Sequence, residues 1–479
     1  MNTALNTVEH HSGDGRSGEG RHDVRPSAGV RYLYPDDPGY QAAVTAWNLL
    51  GSHAPAVVAM AESADHVVQA VRKARAEGLG VGVMATGHGT GHPVRGGMLI
   101  NTTAMRDLIV DPVSRAARVQ AGVTWRELNQ RAALHGLIGL QGSSSDLGVV
   151  GYSLGGGFGW LGRHFGFASQ SIISADLVTA DGDLITVDAA RRPDLFWGLR
   201  GSAGNLGVVT ALEIRLHEVD VVYGGTLFYP VADAVRVLTA YAEWAPRQSH
   251  ELASSVALAN FPPLEVIPEP LRGGSFVCVR VCHSGLDLMP GVAAVRELRN
   301  TLGTPLIDDV RRMPASDLDR ISSEPVDPMP AKLHSGLLPE LSAALIACVA
   351  ALHTPDSGVL FVEFRHLGGA LRVPSDQLSP LNRTGAAFSL NAVALALPPG
   401  GPDAADAALD RFARRIDPFT DGAGYVNFLE GDDGAEKIRN AYSEPEWERL
   451  RDLKDHWDPD NLFRFNRNIP PRTGSMPHA

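Results

Sequence analysis

Gly142-Ser143-Ser144-Ser145-Asp146-Leu147-Gly148-Val149-Val150-Gly151-Tyr152-Ser153-Leu154-Gly155-Gly156-Gly157-Phe158-Gly159 is the stretch on which the reading of this chain turns. It is dense in glycine and interleaves hydroxyl and apolar residues. Lacking a Cβ, glycine lets backbone N–H groups approach a ligand closely and point at it. Such a loop suits a diphosphate, because neutral donors meet an anion with no side chain in the way. A second cluster lies upstream, Ala85-Thr86-Gly87-His88-Gly89-Thr90-Gly91, fed by the strand-like run Val81-Gly82-Val83-Met84. A third, Gly201-Ser202-Ala203-Gly204-Asn205-Leu206-Gly207, runs into a predicted strand over Val208–Leu216.

The chain has 479 residues, more than one ordinary core serves, so two main domains are expected. A net charge of −12 argues against nucleic acid or an anionic membrane as partner. No apolar run nears the roughly 20 residues that a membrane helix needs. Residues 1–27 are polar, lack the apolar core of a secretory signal and read as a disordered tail. Three cysteines are too few for a disulfide framework, and an odd count fits a reducing cytoplasm. Cys278 and Cys282 stand four strand steps apart, about 13 Å. That is too far to share a metal or a disulfide, and no metal site is read.

Through residue 220, helices and short strands alternate. Ala64–Glu77 is an amphipathic helix stopped by Gly78. Trp125–His135 is a helix opened by Thr124, with Glu127 completing a capping box. Residues 175–187 form a hairpin turned by Asp181-Gly182. Beyond residue 221, strands over Tyr223–Tyr229, Ser275–Cys282, Val359–Arg365 and Ala386–Leu397 alternate with helices over Val231–Trp244, Leu286–Leu302 and Asp403–Arg415. This texture predicts a second sheet backed by helices.

Two familiar patterns fit the long loop poorly. Gly157-x-Gly159-x-x-Gly162 has dinucleotide-fold spacing, but glycine and serine precede it instead of an apolar strand. Gly151-x-Ser153-x-Gly155 has the spacing of a hydrolase nucleophile elbow, yet Val149-Val150 is too short for the buried strand that elbow requires. His88, flanked by glycines, reads as an accessible neutral imidazole rather than a core residue.

The three loops in this order resemble the vanillyl-alcohol-oxidase or PCMH-type FAD-binding fold, and specifically the berberine-bridge-enzyme-like FAD-linked oxidases. The family's C-terminal signature matches at Tyr425-Val426-Asn427-Phe428 and again from Asp458-Pro459 to Asn468-Ile469-Pro470-Pro471. The resemblance covers nearly all of residues 30–471. It implies an α+β chain with a PCMH-type FAD-binding domain over 28–220. A substrate-binding domain follows over 221–440, an antiparallel sheet backed by helices, and a segment over 441–479 returns to the first domain. It implies FAD bonded covalently to His88 and contacted by Thr86, Gly87, Gly89, Thr90, Gly91, Gly142, Ser143, Ser144, Leu147, Gly148, Gly151, Tyr152, Gly155, Asn205, Gly207, Val208, Val209 and Asn466. Family members with two covalent bonds carry a cysteine where Ser144 stands here, so a single bond through His88 is expected. Leu147 occupies the position where a valine-like residue accompanies rapid reaction with oxygen, which leaves oxidase and dehydrogenase both open.

The implied reaction is hydride transfer from an alcohol, sugar or natural-product substrate to the flavin, with dioxygen as final acceptor, in secondary metabolism. Tyr425 is the expected base, with Asn427 or Arg365 stabilising its phenolate; Phe428 replaces the motif's second tyrosine. Glu363, Arg365, His366 and Asn391 are candidates to face the substrate. A flavoprotein catalysing a net non-redox cyclisation or elimination is the alternative, and a serine hydrolase a remote one. Nothing in the residues fixes an oligomeric state.

Overall fold

Short apolar runs broken by turns build three principal sheets. The computed structural model describes residues 29–89, 93–265, 267–372, 379–381, 385–430 and 434–472. The tail over 1–27, Thr90 and Gly91 lie outside these. In the first sheet the strands run Arg31–Leu33, Val57–Met60, Met98–Asn101, Val81–Met84. Its last three strands pair in parallel, with helix Ala64–Ala76 in the crossover. That helix buries Val67, Ala70, Val71 and Ala74, the apolar face legible from its spacing. The second sheet is antiparallel, in the order Leu108–Asp111, Ala116–Gln120, Val208–Arg215, Ile172–Val178, Leu184–Asp188. Its last pair is the hairpin turned at Asp181-Gly182. Thr124 and Glu127 close the capping box of helix Trp125–Ala133.

The large sheet holds eight strands. Ile307–Asp308, Val221–Pro230, Ser275–His283, Leu252–Asn260, Phe361–His366, Phe388–Leu395 and Ala331–Leu338 lie side by side, and Arg311–Pro314 also pairs with Val221–Pro230. All pairs are antiparallel. Val256, Val279, Phe364 and Leu390 point to one face, where they join a core with residues of helices Ala234–Trp244, Met289–Leu302, Ala343–Leu352 and Gly401–Ile416. Strand geometry sends the alternate residues to the opposite face. The strands Leu252–Asn260 and Ala331–Leu338 go unread in the sequence because alanine, serine and glycine give them little β signature, and the helix Ala343–Leu352 goes unread because it is apolar all round and shows no amphipathic period. All three cysteines are free. Among the described residues no helix is long and apolar enough to cross a membrane.

Two buried cations rivet the parts together. Arg163 donates to the carbonyls of Leu252, Gln248, Ser249 and Leu367, joining the end of the long glycine loop to the large sheet. Lys454, fully buried on the C-terminal helix Glu444–Trp457, reaches Asp458 at 2.7 Å, the Asn205 carbonyl at 3.0 Å and the Phe463 carbonyl at 3.1 Å. It thereby ties the third glycine loop to the C-terminal segment. Lys454→Met leaves the buried Asp458 with the Leu462 and Phe463 N–H donors but without its cation, so it is expected to cost about 3–5 kcal/mol in urea unfolding; a loss below about 1 kcal/mol would show the pair to be dispensable.

Candidate active site

The strand Val81–Met84 delivers the first loop to the surface of the small sheet. There Gly87 takes φ +73°, and a Cβ on it would sit 2.6 Å from the Ala46 backbone, so the loop needs glycine at this point. His88 follows. Its Nδ1 lies 3.0 Å from Thr86 Oγ1, and its ring stacks on Trp47 with centroids 4.6 Å apart. Burial pushes the imidazole down to about 4 against a weak upward pull from Asp146, so it is neutral near pH 7. Asp146 itself is held below the usual carboxylate range, chiefly by its paired hydrogen bonds with Arg126 at 2.7 and 2.8 Å.

The long loop folds into turns around one short helix, Val149–Leu154, with Gly148 at its N-cap. Gly142 lies under the Tyr152 ring. The Ser143 hydroxyl accepts from Arg365 Nη2 at 2.7 Å, and the buried Ser144 hydroxyl accepts from the Asp146 N–H at 3.3 Å. The carbonyl of half-buried Leu147 accepts from Trp125 at 3.0 Å. Gly151 faces open space, with nothing within 4 Å of a Cβ built there, and Gly148 is almost as open. At Gly155 the opposite holds: a Cβ would fall inside the Asn427 amide, which donates to the Tyr152 carbonyl at 3.0 Å.

Tyr425 and Asn427 close on the same loop. The Tyr425 hydroxyl accepts from the Gly157 N–H at 2.5 Å and from Asn427 Nδ2 at 3.2 Å. Its ring packs among Phe158, Phe167 and Phe428. Burial pushes this phenol above its ordinary value and outweighs both donors. The lowering that a base near neutrality requires is therefore absent, and Arg365 hydrogen-bonds Ser143 and Glu363 instead. Asn205 uses its amide on the Ser202 and Arg467 carbonyls and the Ile469 N–H. Gly207 passes tightly over Val178, whereas Val208 and Val209 are buried strand residues of the second sheet. Asn466 keeps a buried Oδ1 without a partner, as Tyr152 does its hydroxyl.

The open face of the large sheet carries a buried polar row: Ser255, Arg280, Glu363, Arg365, Ser389 and Asn391. Glu363 accepts from Arg280 at 2.7 Å, Arg365 at 2.9 Å and Ser255 at 2.8 Å. Although burial alone would raise it, these partners together hold it below the usual carboxylate range. Arg280 Nε, Arg365 Nε, Ser389 Oγ and Asn391 Oδ1 are buried without partners. His366 does not join the row. It lies on the other face, where Arg163 contacts its ring at 3.2 Å and Phe388 packs against it.

Sequence reasoning missed three residues here, Asp319, Glu324 and Trp47, because each reaches the site from a segment without a motif. Asp319 accepts from Ser145 and, at 2.8 Å, from Gln141. Glu324 keeps accessible surface, yet protein surrounds it closely enough that burial raises its carboxyl against the pull of Arg365 and Arg280. A hydrogen bond with Ser143 pulls the same carboxyl the other way.

An open glycine face, a neutral imidazole on a tight loop and orphaned buried oxygens suit a long dinucleotide with a flat ring at one end. Comparison with known proteins agrees. An FAD binding domain signature matches residues 55–188, and a berberine and berberine-like signature matches residues 424–470. The chain belongs to the berberine-bridge-enzyme-like FAD-linked oxidases. It is similar to the (R)-6-hydroxynicotine oxidase of Paenarthrobacter nicotinovorans, 29% identical over 461 residues that span 92% of this chain and 96% of the relative. The crystal structure of 6-hydroxy-D-nicotine oxidase from Arthrobacter nicotinovorans superposes with a TM-score of 0.81 at 27% identity, over 94% of this chain and all of that one. A xylooligosaccharide oxidase from Myceliophthora thermophila C1 shares the fold, with a TM-score of 0.81 at 19% identity over 92% and 97% of the two chains. The α+β, PCMH-type architecture expected from the sequence is thus observed, and this FAD-linked oxidoreductase carries its family signatures on the loops just described. Gly155→Ala displaces the Asn427 amide from the loop, so purified Gly155→Ala protein is expected to retain well under half the wild-type flavin; full flavin content would show that the contact does not shape the site.

Proposed function

We propose that this enzyme oxidises a hydroxylated or amino-bearing small molecule, an alcohol, sugar or natural-product scaffold, in secondary metabolism, with dioxygen as final acceptor. The observation that carries this reading is the buried polar row, with its unpartnered Arg365, Ser389 and Asn391 atoms, in contact with the flavin loop through Ser143. The relative named as an (R)-6-hydroxynicotine oxidase supports a small hydroxylated substrate. We take residues 28–220 with 441–479 as the part that holds FAD and 221–440 as the part that binds substrate. Three free cysteines support a cytoplasmic setting.

Bound FAD supplies the acceptor for a hydride from the substrate C–H. Thr86, Gly87 and Gly89 present His88 for a single covalent attachment, since Ser144 has no thiol to form a second. Gly142, Ser143, Ser144, Gly148, Gly151 and Gly155 line the cradle, and Leu147 and Tyr152 bound it. Asn205, Gly207, Val208, Val209 and Asn466 brace it from behind. Tyr425 and Asn427 hold the Gly155–Phe158 turn in place, Tyr425 as a neutral phenol. Glu363 is too firmly ion-paired to accept a proton. Glu324, exposed and with a raised carboxyl, takes the substrate's O–H or N–H proton.

Purified protein is expected to be yellow and to keep its colour on the polypeptide through acid precipitation, and His88→Ala is expected to release it. Anaerobic addition of alcohols, sugars and amines in turn should bleach the flavin with one class; turnover without bleaching would favour the non-redox alternative. With that substrate, Glu324→Gln is expected to slow reduction about 100-fold and to flatten the limb of the profile that rises with pH as Glu324 loses its proton. Tyr425→Phe should keep that limb. The reverse pattern would restore Tyr425 as the base.

A further inference from the structure

Trp47 joins three parts of the molecule at His88. Its indole lies face to face with the imidazole, the planes 14° apart. The backbone of residues 47–48 donates to the Thr86 and Gly87 carbonyls at 3.3 and 3.4 Å. On the other side the same segment pairs with residues 326–331. The Trp47 indole N–H donates to the Val326 carbonyl at 2.8 Å, and the Asn48 amide donates to the Ala331 carbonyl at 2.8 Å. Met329 donates to the Trp47 carbonyl and Leu49 to the Met329 carbonyl, each at 3.1 Å. Residues 326–331 enter the strand Ala331–Leu338 of the large sheet.

The arrangement is more specific than packing alone requires. Trp47 is only half-buried, so it adds little to a core. Its flat face covers one side of the imidazole, and its polar edge is bonded to a different part of the fold. Thr86 Oγ1 at His88 Nδ1 fixes rotation within the plane that the indole defines. A nucleophile reacts fast when it is neutral and already aimed, and ångström-scale misplacement costs rate steeply. His88 sits between two glycines and has no other ring contact among the described residues to aim it.

We propose that Trp47 is the positioning residue for covalent attachment of the flavin to His88, and that residues 326–331 hold Trp47 for that task. The inference rests on the His88 linkage proposed above. In the attachment one C–H bond of the flavin 8α methyl and the imidazole N–H bond break, and one C–N bond forms. Two protons leave, and the two electrons stay in the flavin until dioxygen, the co-reactant, accepts them. Trp47 takes no part in the bond changes; it sets the plane in which the imidazole nitrogen meets the methyl carbon. Because the 326–331 segment must be docked for Trp47 to be held, the bond forms only after the large sheet has assembled beside the FAD loops.

The full-length chain, prepared from riboflavin-starved cells and given FAD in air, tests this. Covalent flavin is read by fluorescence in denaturing gels over time, and bound but unlinked FAD by visible absorption. Trp47→Leu is expected to slow attachment about tenfold or more while FAD binding and the melting temperature stay near wild type. Trp47→Phe, which loses the bond to Val326 but keeps the stack and the backbone pairing with Met329 that holds residue 47, is expected to restore most of the rate. Should Trp47→Leu fail to accumulate, Trp47→Met, with similar bulk and no flat face, carries the same expectation. Attachment at the wild-type rate in Trp47→Leu or Trp47→Met would overturn the proposal. A wild-type chain that binds FAD and never links it would overturn the His88 reading instead, and this one with it.

Discussion

Burial of one imidazole without an ion-pair partner is the constraint around which the site is arranged. Among the described residues His88 has no carboxylate that outweighs burial and charges it: Asp146 pulls only weakly and is already committed to Arg126. It therefore stays neutral on a loop that is tight enough to need Gly87 against Ala46. Besides Thr86 and Thr103, the contacts that hold the loop there come from far along the chain: Trp47 on one face, Arg467 at the Gly89 carbonyl, and residues 326–331 behind Trp47. The long glycine loop meets Asn427 at Gly155, and Arg467 of the C-terminal segment bonds both the Asn427 and the Gly89 carbonyls. Neutrality and orientation are what make an imidazole a nucleophile rather than a surface charge.

A second constraint is the two-residue period of the large sheet. Along Phe361–His366 the side chains alternate between a helix-covered apolar core and a buried polar row. Burying two guanidinium groups is costly unless a carboxylate lies between them, and Glu363 does. That service removes Glu363 from proton chemistry. Tyr425 is removed differently: its oxygen is occupied by the Gly157 and Asn427 donors in an aromatic cluster that disfavours the phenolate. Glu324, between Asp319, which is bonded to Ser145, and Val326, which is bonded to Trp47, is the carboxyl proposed as base: it is exposed, and its surroundings raise it.

Much of this was legible in the residues. The glycine loops, the strands that feed them, the capping box at Thr124 and the hairpin at Asp181-Gly182 are local signals, and local chemistry decides them. The polar row was half legible: Glu363, Arg365 and Asn391 stand out in apolar runs, but Arg280 and Ser255 join them only through sheet register. His366 cannot share a face with Glu363 and Arg365, because it directly follows Arg365 in a paired strand whose side chains alternate. The strand Leu252–Asn260, built of alanine and serine, has no pattern of its own and exists because its neighbours pair with it. Trp47, Asp319 and Glu324 were invisible for a related reason. Each acts across more than 150 residues of sequence or from a segment without periodicity, so only the assembled fold brings it to the site. The expected lowering of the Tyr425 phenol failed on a quantity that sequence does not carry, the depth of burial.

The most direct measurement is mass spectrometry of the tryptic peptide spanning Ala76–Arg95 from protein purified in air. The account predicts this peptide at its own mass plus one FAD, less two hydrogens, with fragment ions that place the addition on His88 and not on His92. The bare peptide, recovered from protein that shows flavin absorption before digestion, would contradict it.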